Sequence, residues 1–157
     1  MKLKNIKHRL AGDGDIDKLL PWLKADYFDF GEGFWPQRAM ICRGVAEGDL
    51  YMATHRGKVV GFQLGETQVD LIQVQRRHQR KGIGALLLDR VLQRASKASK
   101  SYCFAGALDE GFWLKQGFSE FVGSPMGGKT LMALRVPTWS RQSASTAGPQ
   151  AEQLGLQ

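Results

Sequence analysis

Cysteine, histidine and long apolar runs are all scarce in this sequence of 157 residues. The two cysteines, Cys42 and Cys103, form no CxxC or Cys/His spacing, which argues against a disulfide scaffold and against a zinc site. The three histidines, His8, His55 and His78, are isolated from one another in the chain. No apolar run approaches the roughly 18 residues of a membrane span, and no apolar signal segment opens the chain. The sequence therefore predicts a metal-free protein of the reducing cytoplasm that has no membrane partner.

The size and composition are typical of one globular domain. Apolar residues make up 43% of the chain and charged residues 24%, so a chain of this length can bury a core. From Pro137 onward, Ser, Thr, Ala, Gly and Gln dominate and the hydrophobic periodicity is lost. We therefore expect one domain over residues 1–136 and a disordered tail over residues 137–157. Nothing in the composition decides between a monomer and a homodimer, and either is expected.

Acidic residues are in the minority, and the two signs of charge are separated along the chain. The 22 Lys and Arg residues against 15 acids give a net charge of +7, which suggests an anionic partner. Residues 71–100 hold eight bases and one acid, whereas residues 11–50 hold eight acids and four bases. One segment is thus suited to an anion and the other to a cation. The basic segment has no helix-turn-helix pattern and no aromatic-interleaved basic strand, which argues against nucleic acid as the partner.

Hydrophobic periodicity predicts mostly strands with helices between them. The predicted strands cover residues 5–10, 49–54, 59–64, 68–74, 102–107, 119–122 and 130–136. The first predicted helix follows a cap at Asp13 or Asp15 and runs through Leu19, Leu20 and Leu23. The other predicted helices cover about 36–44, 82–95 and 110–116. The aromatic stretch 27–36 contains two glycines and a proline and is predicted to be a loop. This order indicates an α/β (α+β) layer architecture.

The segment with the clearest chemical meaning is a strand, loop and helix centred on Gln79-Arg80-Lys81-Gly82-Ile83-Gly84. At the start of a helix, unpaired backbone N–H groups and the helix dipole favour an anion, and glycine lets a phosphate approach the main chain. The GxxxxGK[ST] motif is absent, and GxGxxG is absent too, because there is only one glycine pair and residue 87 is leucine. The alternative is an ordinary helix start with a solvated basic face.

This segment resembles the signature of the GCN5-related N-acetyltransferases, in which a strand ending in valine, here Val74, precedes [Q/R]-x-x-G-x-[G/A]. A second family mark, an aromatic pair followed by a spacer and Gly-Phe, matches Phe112-Trp113-Leu114-Lys115-Gln116-Gly117-Phe118. The hairpin with Val60-Gly61-Phe62 is also similar to the family's second and third strands, so the resemblance covers about residues 3–136.

The resemblance implies a mixed, mostly antiparallel sheet of six or seven strands, splayed between strands 4 and 5 and flanked by about four helices. Acetyl-CoA would lie in the splay, with its pyrophosphate on the loop and its pantetheine arm along strand 4. The cofactor residues implied are Ile72, Gln73, Val74, Gln79, Arg80, Lys81, Gly82, Ile83 and Gly84. For the ribose phosphate, Arg76, Arg77 and Lys81 remain alternatives.

The activity implied is direct transfer of acetyl to a primary amine of a small molecule or peptide, in a ternary complex. Asp70 near the start of strand 4 is the expected base, acting through water, with Glu66 as a rival. The family's usual proton donor is a tyrosine, but Trp113 stands at that position, and an indole N–H is not an acid at neutral pH. The expected donor is Tyr102, with Cys103, Tyr51 or water as alternatives. A non-catalytic acyl-CoA-binding or sensor domain is the competing hypothesis.

The acceptor amine would be selected by the first two helices and the loop between them. The expected substrate-binding residues are Tyr27, Phe28, Phe34 and Trp35, accompanied by the acids Asp26, Asp29 and Glu32. Aromatic faces and carboxylates together suit a cationic amine. The alternative is that these aromatic residues belong to the core and that the acids are solvated.

Overall fold

A computed structural model describes residues 3–107, 110–126 and 129–136 of the chain, and the tail predicted over 137–157 lies outside them. Within these ranges, seven strands and four α-helices follow one another. The strands are β1 (Ile6–Leu10), β2 (Leu50–His55), β3 (Lys58–Leu64), β4 (Leu71–Val74), β5 (Tyr102–Ala107), β6 (Ser119–Met126) and β7 (Lys129–Arg135). The helices are α1 (Ile16–Phe30), α2 (Arg38–Glu47), α3 (Ile83–Lys97) and α4 (Glu110–Lys115). None of the helices in these ranges is long and apolar enough to cross a membrane.

The strands form two antiparallel sheets that meet at one point and then separate. The first sheet has the order β1-β2-β3-β4 and the second the order β5-β7-β6. An isolated parallel bridge joins Val69 to Ala105, where the Val69 N–H donates to the Phe104 carbonyl at 2.9 Å. Beyond this bridge β4 and β5 diverge, so the predicted splay between strands 4 and 5 is confirmed, as is the mixed α/β fold.

Helix α3 packs against both sheets. Its apolar residues recur at helical spacing, so that they form one continuous face. Ile83 and Leu87, near its start, belong to a core cluster with Val60 of β3. Leu88 and Val91, further along the helix, belong to the cluster that covers β5 and β7. The amino-terminal end of α3 is thereby fixed at the opening between the sheets.

The predicted loop 27–36 is wrong in its first part, because α1 continues to Phe30. The helix ends at Gly31, which has a left-handed φ of 66° and donates its N–H to the Tyr27 carbonyl at 2.9 Å. Aromatic residues are compatible with a helix, and the glycine, not the aromatic composition, determines where this one stops. The remaining connection contains a 3-10 turn at Trp35–Gln37, after which α2 begins at Arg38.

Two predicted strands differ from the observed bounds by more than one residue. Strand β4 begins at Leu71, and Asp70 lies in a bend before it, where its N–H donates to the Leu64 carbonyl at 3.0 Å. Residue 70 lies between two pairings, since Val69 pairs with β5 and Leu71 pairs with β3, and the backbone changes partner at this point. Strand β6 continues to Met126, with a register shift against β7 after Glu120.

The sequence suggested Asp15 as a possible cap of α1, but its side chain makes no cap hydrogen bond to this helix; the buried carboxylate instead forms an ion pair with the more exposed Arg9 of β1. Its carboxylate accepts hydrogen bonds from Arg9 Nη1 and Nη2 at 2.7 and 2.8 Å and from the Gly12 N–H at 2.8 Å. Hydrogen bonding to the Arg9 guanidinium lowers the pKa of Asp15 from 3.8 to about 2. The ion pair thus ties the start of α1 to the edge strand of the first sheet.

Replacing Asp15 with asparagine is expected to lower the free energy of unfolding by about 2 kcal/mol at neutral pH, because the folded state favours the ionised carboxyl. A lowered folded-state pKa stabilises the protein above the ordinary pKa of 3.8 and loses that effect as the pH falls through about 2. Urea unfolding of both proteins at about pH 7 and about pH 2 measures the difference. The exposed Asp13 gives the control Asp13→Asn. An equal loss at both pH values would contradict the ion-pair interpretation.

Candidate active site

A cavity of about 640 Å³ lies at the opening between the two sheets. Four parts of the chain form its wall: the end of α1 with the following loop, strand β4 with the segment leading into it, the loop into α3 with the first turn of that helix, and α4. The lining residues are Asp26, Glu32, Gly33, Phe34, Val69, Asp70, Leu71, Ile72, Gln73, Val74, Arg76, His78, Gln79, Arg80, Ile83, Gly84, Gly111, Phe112, Trp113 and Lys115. The cavity therefore contains the segments that the sequence singled out, on both the basic and the acidic side.

Strand β4 presents an unpaired backbone edge to this cavity. Gln75 donates its N–H to the Val60 carbonyl at 2.9 Å, in register with the β3 ladder. Alternate residues of an antiparallel strand face the same neighbour, so the amide of Gln73 also faces β3. The amides of Ile72 and Val74 consequently face the open side. An extended ligand can form main-chain hydrogen bonds along this edge.

The amino-terminal end of α3 contributes unpaired amides at the end of the β4 edge. The first helical hydrogen bond runs from the Leu86 N–H to the Gly82 carbonyl at 3.0 Å, so the amides of Ile83 and Gly84 have no acceptor within the helix. A Cβ added to Gly84 would lie 3.3 Å from two ring carbons of Phe112, in tight contact. Glycine therefore lets the first turn of α3 pack closely against Phe112 of α4.

Two cations on the wall are available to a ligand. Arg80 and Lys115 line the cavity and form no ion pair or hydrogen bond with any residue that the structure describes. Arg80 also has a left-handed φ of 60°, a conformation that costs a residue with a Cβ about 1 kcal/mol. Asn5, Arg56 and Ser99 adopt the same conformation away from the cavity, so at Arg80 it shapes the loop and does not by itself mark a site. Lys115 was missed in the sequence, although it lies within the second family motif.

The remaining predicted loop residues have other contacts. Lys81 and Gly82 do not line the cavity; Lys81 Nζ donates to the Arg77 carbonyl at 2.8 Å, and Gly82 supplies a left-handed turn with a φ of 85°. Gln79 lines the wall and donates through Nε2 to the Val74 carbonyl at 3.1 Å. Arg77 lies off the wall, and its Nε donates to Gln75. These contacts fix the shape of the loop.

His78 lies on the wall of the cavity close to the basic loop. Burial, followed by the charges of Arg77 and Lys81, lowers the pKa of His78 below its usual value of 6.5. Its imidazole is therefore neutral at physiological pH and adds no positive charge to the basic loop.

Asp70 lines the cavity together with Ile72 and Val74, although it precedes the strand. Its Oδ1 accepts a hydrogen bond from Gln68 Nε2 at 2.8 Å, and the carboxylate is exposed. Glu66 does not line the cavity, and its carbonyl accepts a hydrogen bond from Arg94 Nε at 2.8 Å. Of the two acids considered as a base, Asp70 is the one with access to the site.

The proton donors considered in the sequence lie away from the cavity. Tyr102 is 49% exposed and begins β5, about 10 Å along the strand from Ala105, where the sheets part. Cys103 is buried in the second core cluster, and burial raises the pKa of its thiol to about 12. Tyr51 stacks on His8 at 5.5 Å between ring centroids. Within the described part of the chain, no tyrosine and no cysteine lines the cavity.

Trp113 occupies the wall where the family motif would place a tyrosine. It is 4% exposed and packs edge-to-face on Phe112 and Phe118, at 5.1 and 4.8 Å between ring centroids. The indole thus combines a place in the second core cluster with a face on the cavity.

On the acidic side of the cavity, Phe34 is the only one of the four predicted aromatic residues on the wall. Tyr27 and Phe28 lie in the last turn of α1, off the wall, and are exposed. Their ring centroids are 5.4 Å apart. Trp35 packs on the first core cluster, and Arg38 lies 4.6 Å from the centre of its ring. Asp26 and Glu32 line the wall instead, whereas Asp29 is exposed and lies off it.

Among the residues that the structure describes, no three or more His, Cys, Asp or Glu side chains form a group that could hold a metal ion.

Comparisons with known proteins, by family model and by fold, indicate the same family. A family model described as an acetyltransferase (GNAT) domain matches residues 36–131, which is more than half of the chain. No curated protein sequence matches significantly. The fold is similar to a GNAT-family acetyltransferase from Bacillus cereus, with 15% identity, coverage of 85% of this chain and 99% of that one, and a TM-score of 0.61.

Two further similar structures contain coenzyme A. The PaiA N-acetyltransferase of Thermoplasma acidophilum, in complex with coenzyme A, is 14% identical over 83% of this chain and 99% of its own, with a TM-score of 0.65. N-acetylglutamate synthase from Neisseria gonorrhoeae, complexed with coenzyme A and N-acetyl-glutamate, is 16% identical over 87% of this chain and 36% of its own, with a TM-score of 0.65. On the match of the family model, with the splayed sheet and the loop before α3 in agreement, the chain belongs to the GNAT family of acetyltransferases.

Proposed function

We propose that the protein transfers the acetyl group of acetyl-CoA to a primary amine of a small molecule or peptide, directly within a ternary complex. One observation carries the proposal: the open edge of β4 leads, within a single cavity, to the free amides at the start of α3. An extended amide-containing arm joined to a diphosphate has the chemistry that matches this arrangement.

The proposed cosubstrate contacts follow the cavity wall. The amides of Ile83 and Gly84 hold the pyrophosphate, with Arg80 as the charged partner. The edge at Ile72 and Val74 binds the pantetheine arm. Gln79, Lys81 and Gly82 shape the loop, and Lys115 is the proposed partner of a further phosphate because its ammonium group has no partner among the described side chains.

The chemistry requires a neutral amine, a polarised thioester carbonyl and a proton for the departing sulfur. Asp70, acting through water, takes the proton that the amine loses as the C–N bond forms. A main-chain amide of the β4 edge donates to the carbonyl oxygen. The C–S bond breaks, and the sulfur takes a proton from water, because the described cavity wall holds no phenol or thiol. The proton that Asp70 has taken up then neutralises the hydroxide left behind.

The test combines calorimetry with a thiol-release assay. Acetyl-CoA is titrated into folded protein, and release of free CoA is then followed against a panel of primary amines. Binding with amine-dependent thiol release is the expected result; absence of binding would overturn the proposal.

The second candidate function is that of an acyl-CoA sensor. Trp113 favours it, because an indole N–H on the wall cannot act as an acid at neutral pH. CoA binding without turnover on any amine would support that function.

Replacing Arg80 with glutamine is expected to weaken CoA binding about tenfold, because a charge-assisted contact to phosphate is lost. The difference between the two proteins should shrink as salt is added, since the cavity is open to solvent and the interaction is screened. Calorimetry at low and high ionic strength measures both effects. Arg77→Gln, in the neighbouring loop but off the wall, is the matched control. An equal loss in both variants would show that only the general charge of the segment matters.

A further inference from the structure

The acidic side of the cavity contains one carboxylate whose orientation is fixed by neutral donors. Asp26 Oδ2 accepts a hydrogen bond from Trp22 Nε1 at 2.7 Å and a second from Gln73 Nε2 at 3.3 Å. Both nitrogen atoms can only donate, and both hydrogen bonds end on the same carboxylate oxygen. The other oxygen, Oδ1, has no hydrogen-bond partner among the residues that the structure describes. The carboxylate is thus held in place with one oxygen available in the cavity.

The orientation of the Gln73 amide is set from its opposite end. Its Oε1 accepts a hydrogen bond from the Phe34 N–H at 3.2 Å, and a backbone N–H can only donate. The Nε2 group must therefore point to Asp26. Gly33 permits this approach, because a Cβ at that position would lie 2.6 Å from Gln73 Nε2. Strand β4 and the loop after α1 consequently act together to position Asp26.

The charge of Asp26 is not balanced by any described basic side chain, in contrast to that of Glu32. Glu32 forms an ion pair with Arg76, whose guanidinium also lies 4.1 Å from the centre of the Phe30 ring. No basic side chain of the described chain lies within ion-pair distance of Asp26. The unpaired cations of the wall, Arg80 and Lys115, belong to the loop before α3 and to α4.

We propose that Asp26 is a specificity-determining residue that binds a second cationic group of the acceptor. The acceptor class is then an amine with a further positive charge, such as a diamine or polyamine, one nitrogen of which is acetylated while the other contacts Asp26 Oδ1. This inference rests on the proposed function. The carboxylate supplies a charge-assisted hydrogen bond in a partly enclosed site, where such a bond is stronger than in water.

The test compares paired acceptors on the wild-type protein and on Asp26→Asn. Putrescine and cadaverine are the diamines, and butylamine and pentylamine are the monoamines of the same chain length. In the variant, the amide oxygen can still accept from Trp22 and Gln73, while a donor group replaces Oδ1. We expect kcat/KM for the diamines to fall about tenfold or more, mainly through KM, and kcat/KM for the monoamines to stay within about twofold.

The control variant is Asp29→Asn, which removes a carboxylate from the same helix but off the cavity wall, and it should leave both classes of acceptor unchanged. A parallel loss for monoamines and diamines, or an equal effect of Asp29→Asn, would overturn the assignment of Asp26 and leave the transferase function in place. Wild-type turnover that shows no preference for diamines would also overturn it. CoA binding without turnover on any amine would instead overturn the proposed function, and this inference with it.

Discussion

Replacing Gly84 with glutamate is expected to weaken CoA binding by about a hundredfold or more. Gly84 lies in the first turn of α3, and its amide faces the proposed diphosphate. A glutamate side chain there adds bulk beside Phe112 and brings a negative charge to a position suited to an anion. Like charges in close contact cost several kcal/mol, and about 1.4 kcal/mol corresponds to each factor of ten. Calorimetry with CoA measures the loss.

The matched control is Gly84→Ala, which adds only the Cβ. Alanine favours the helix over glycine by up to about 1 kcal/mol, while the contact with Phe112 requires a small shift of the ring. Thermal unfolding should show that both variants are folded, with CoA affinity largely retained in the alanine variant. Gly82 is less suited to this test, because its φ of 85° strains any other residue. Unchanged affinity in folded Gly84→Glu would remove the diphosphate from this helix end.

The second large effect is expected from a pair of substitutions at Trp113. Trp113→Tyr should exceed Trp113→Phe in kcat by about tenfold or more, because the phenol supplies a proton donor at residue 113, and the described wall otherwise holds no phenol or thiol. General acids typically contribute roughly 10²–10⁴-fold to a rate. Both variants shorten the same buried ring, so the loss of packing is common to the two and cancels in the comparison.

Single-turnover acetyl transfer measured over a pH series distinguishes the role of the phenol from a packing effect. The tyrosine variant should gain a rate that declines at alkaline pH as the phenol ionises, whereas the phenylalanine variant should show no such decline. Equal rates in the two variants would mean that the leaving sulfur lies beyond the reach of residue 113.

The parts of the fold that the sequence predicts best are those specified by local patterns. The α3 helix and the loop before it follow from a glycine pair, a basic run and a leucine-rich helical face, all within one continuous segment. The β2–β3 hairpin likewise follows from two apolar runs on either side of a tight turn. In these segments, backbone propensity and burial favour the same structure, so sequence reasoning is reliable there.

The acidic side of the cavity could not be predicted to the same extent, because composition does not determine which side chains point into the cavity. Tyr27, Phe28 and Phe34 look equivalent in the sequence, but the extension of α1 to Gly31 places only Phe34 on the wall. Gln73 contacts Asp26, 47 positions earlier in the chain, and no local pattern reports such a pairing. The contribution of Lys115 similarly depends on how α4 packs beside the separated strands.

Because α3 belongs to two core clusters, it connects the two separated sheets. A hinge motion that widened the opening between β4 and β5 would have to separate this helix from the apolar side chains of one sheet or the other. Each half of the domain thus depends on the other through a shared element, and both should melt in a single cooperative transition. A nucleotide thioester held at the first turn of that helix would therefore raise the stability of the entire domain, well beyond the loop it touches.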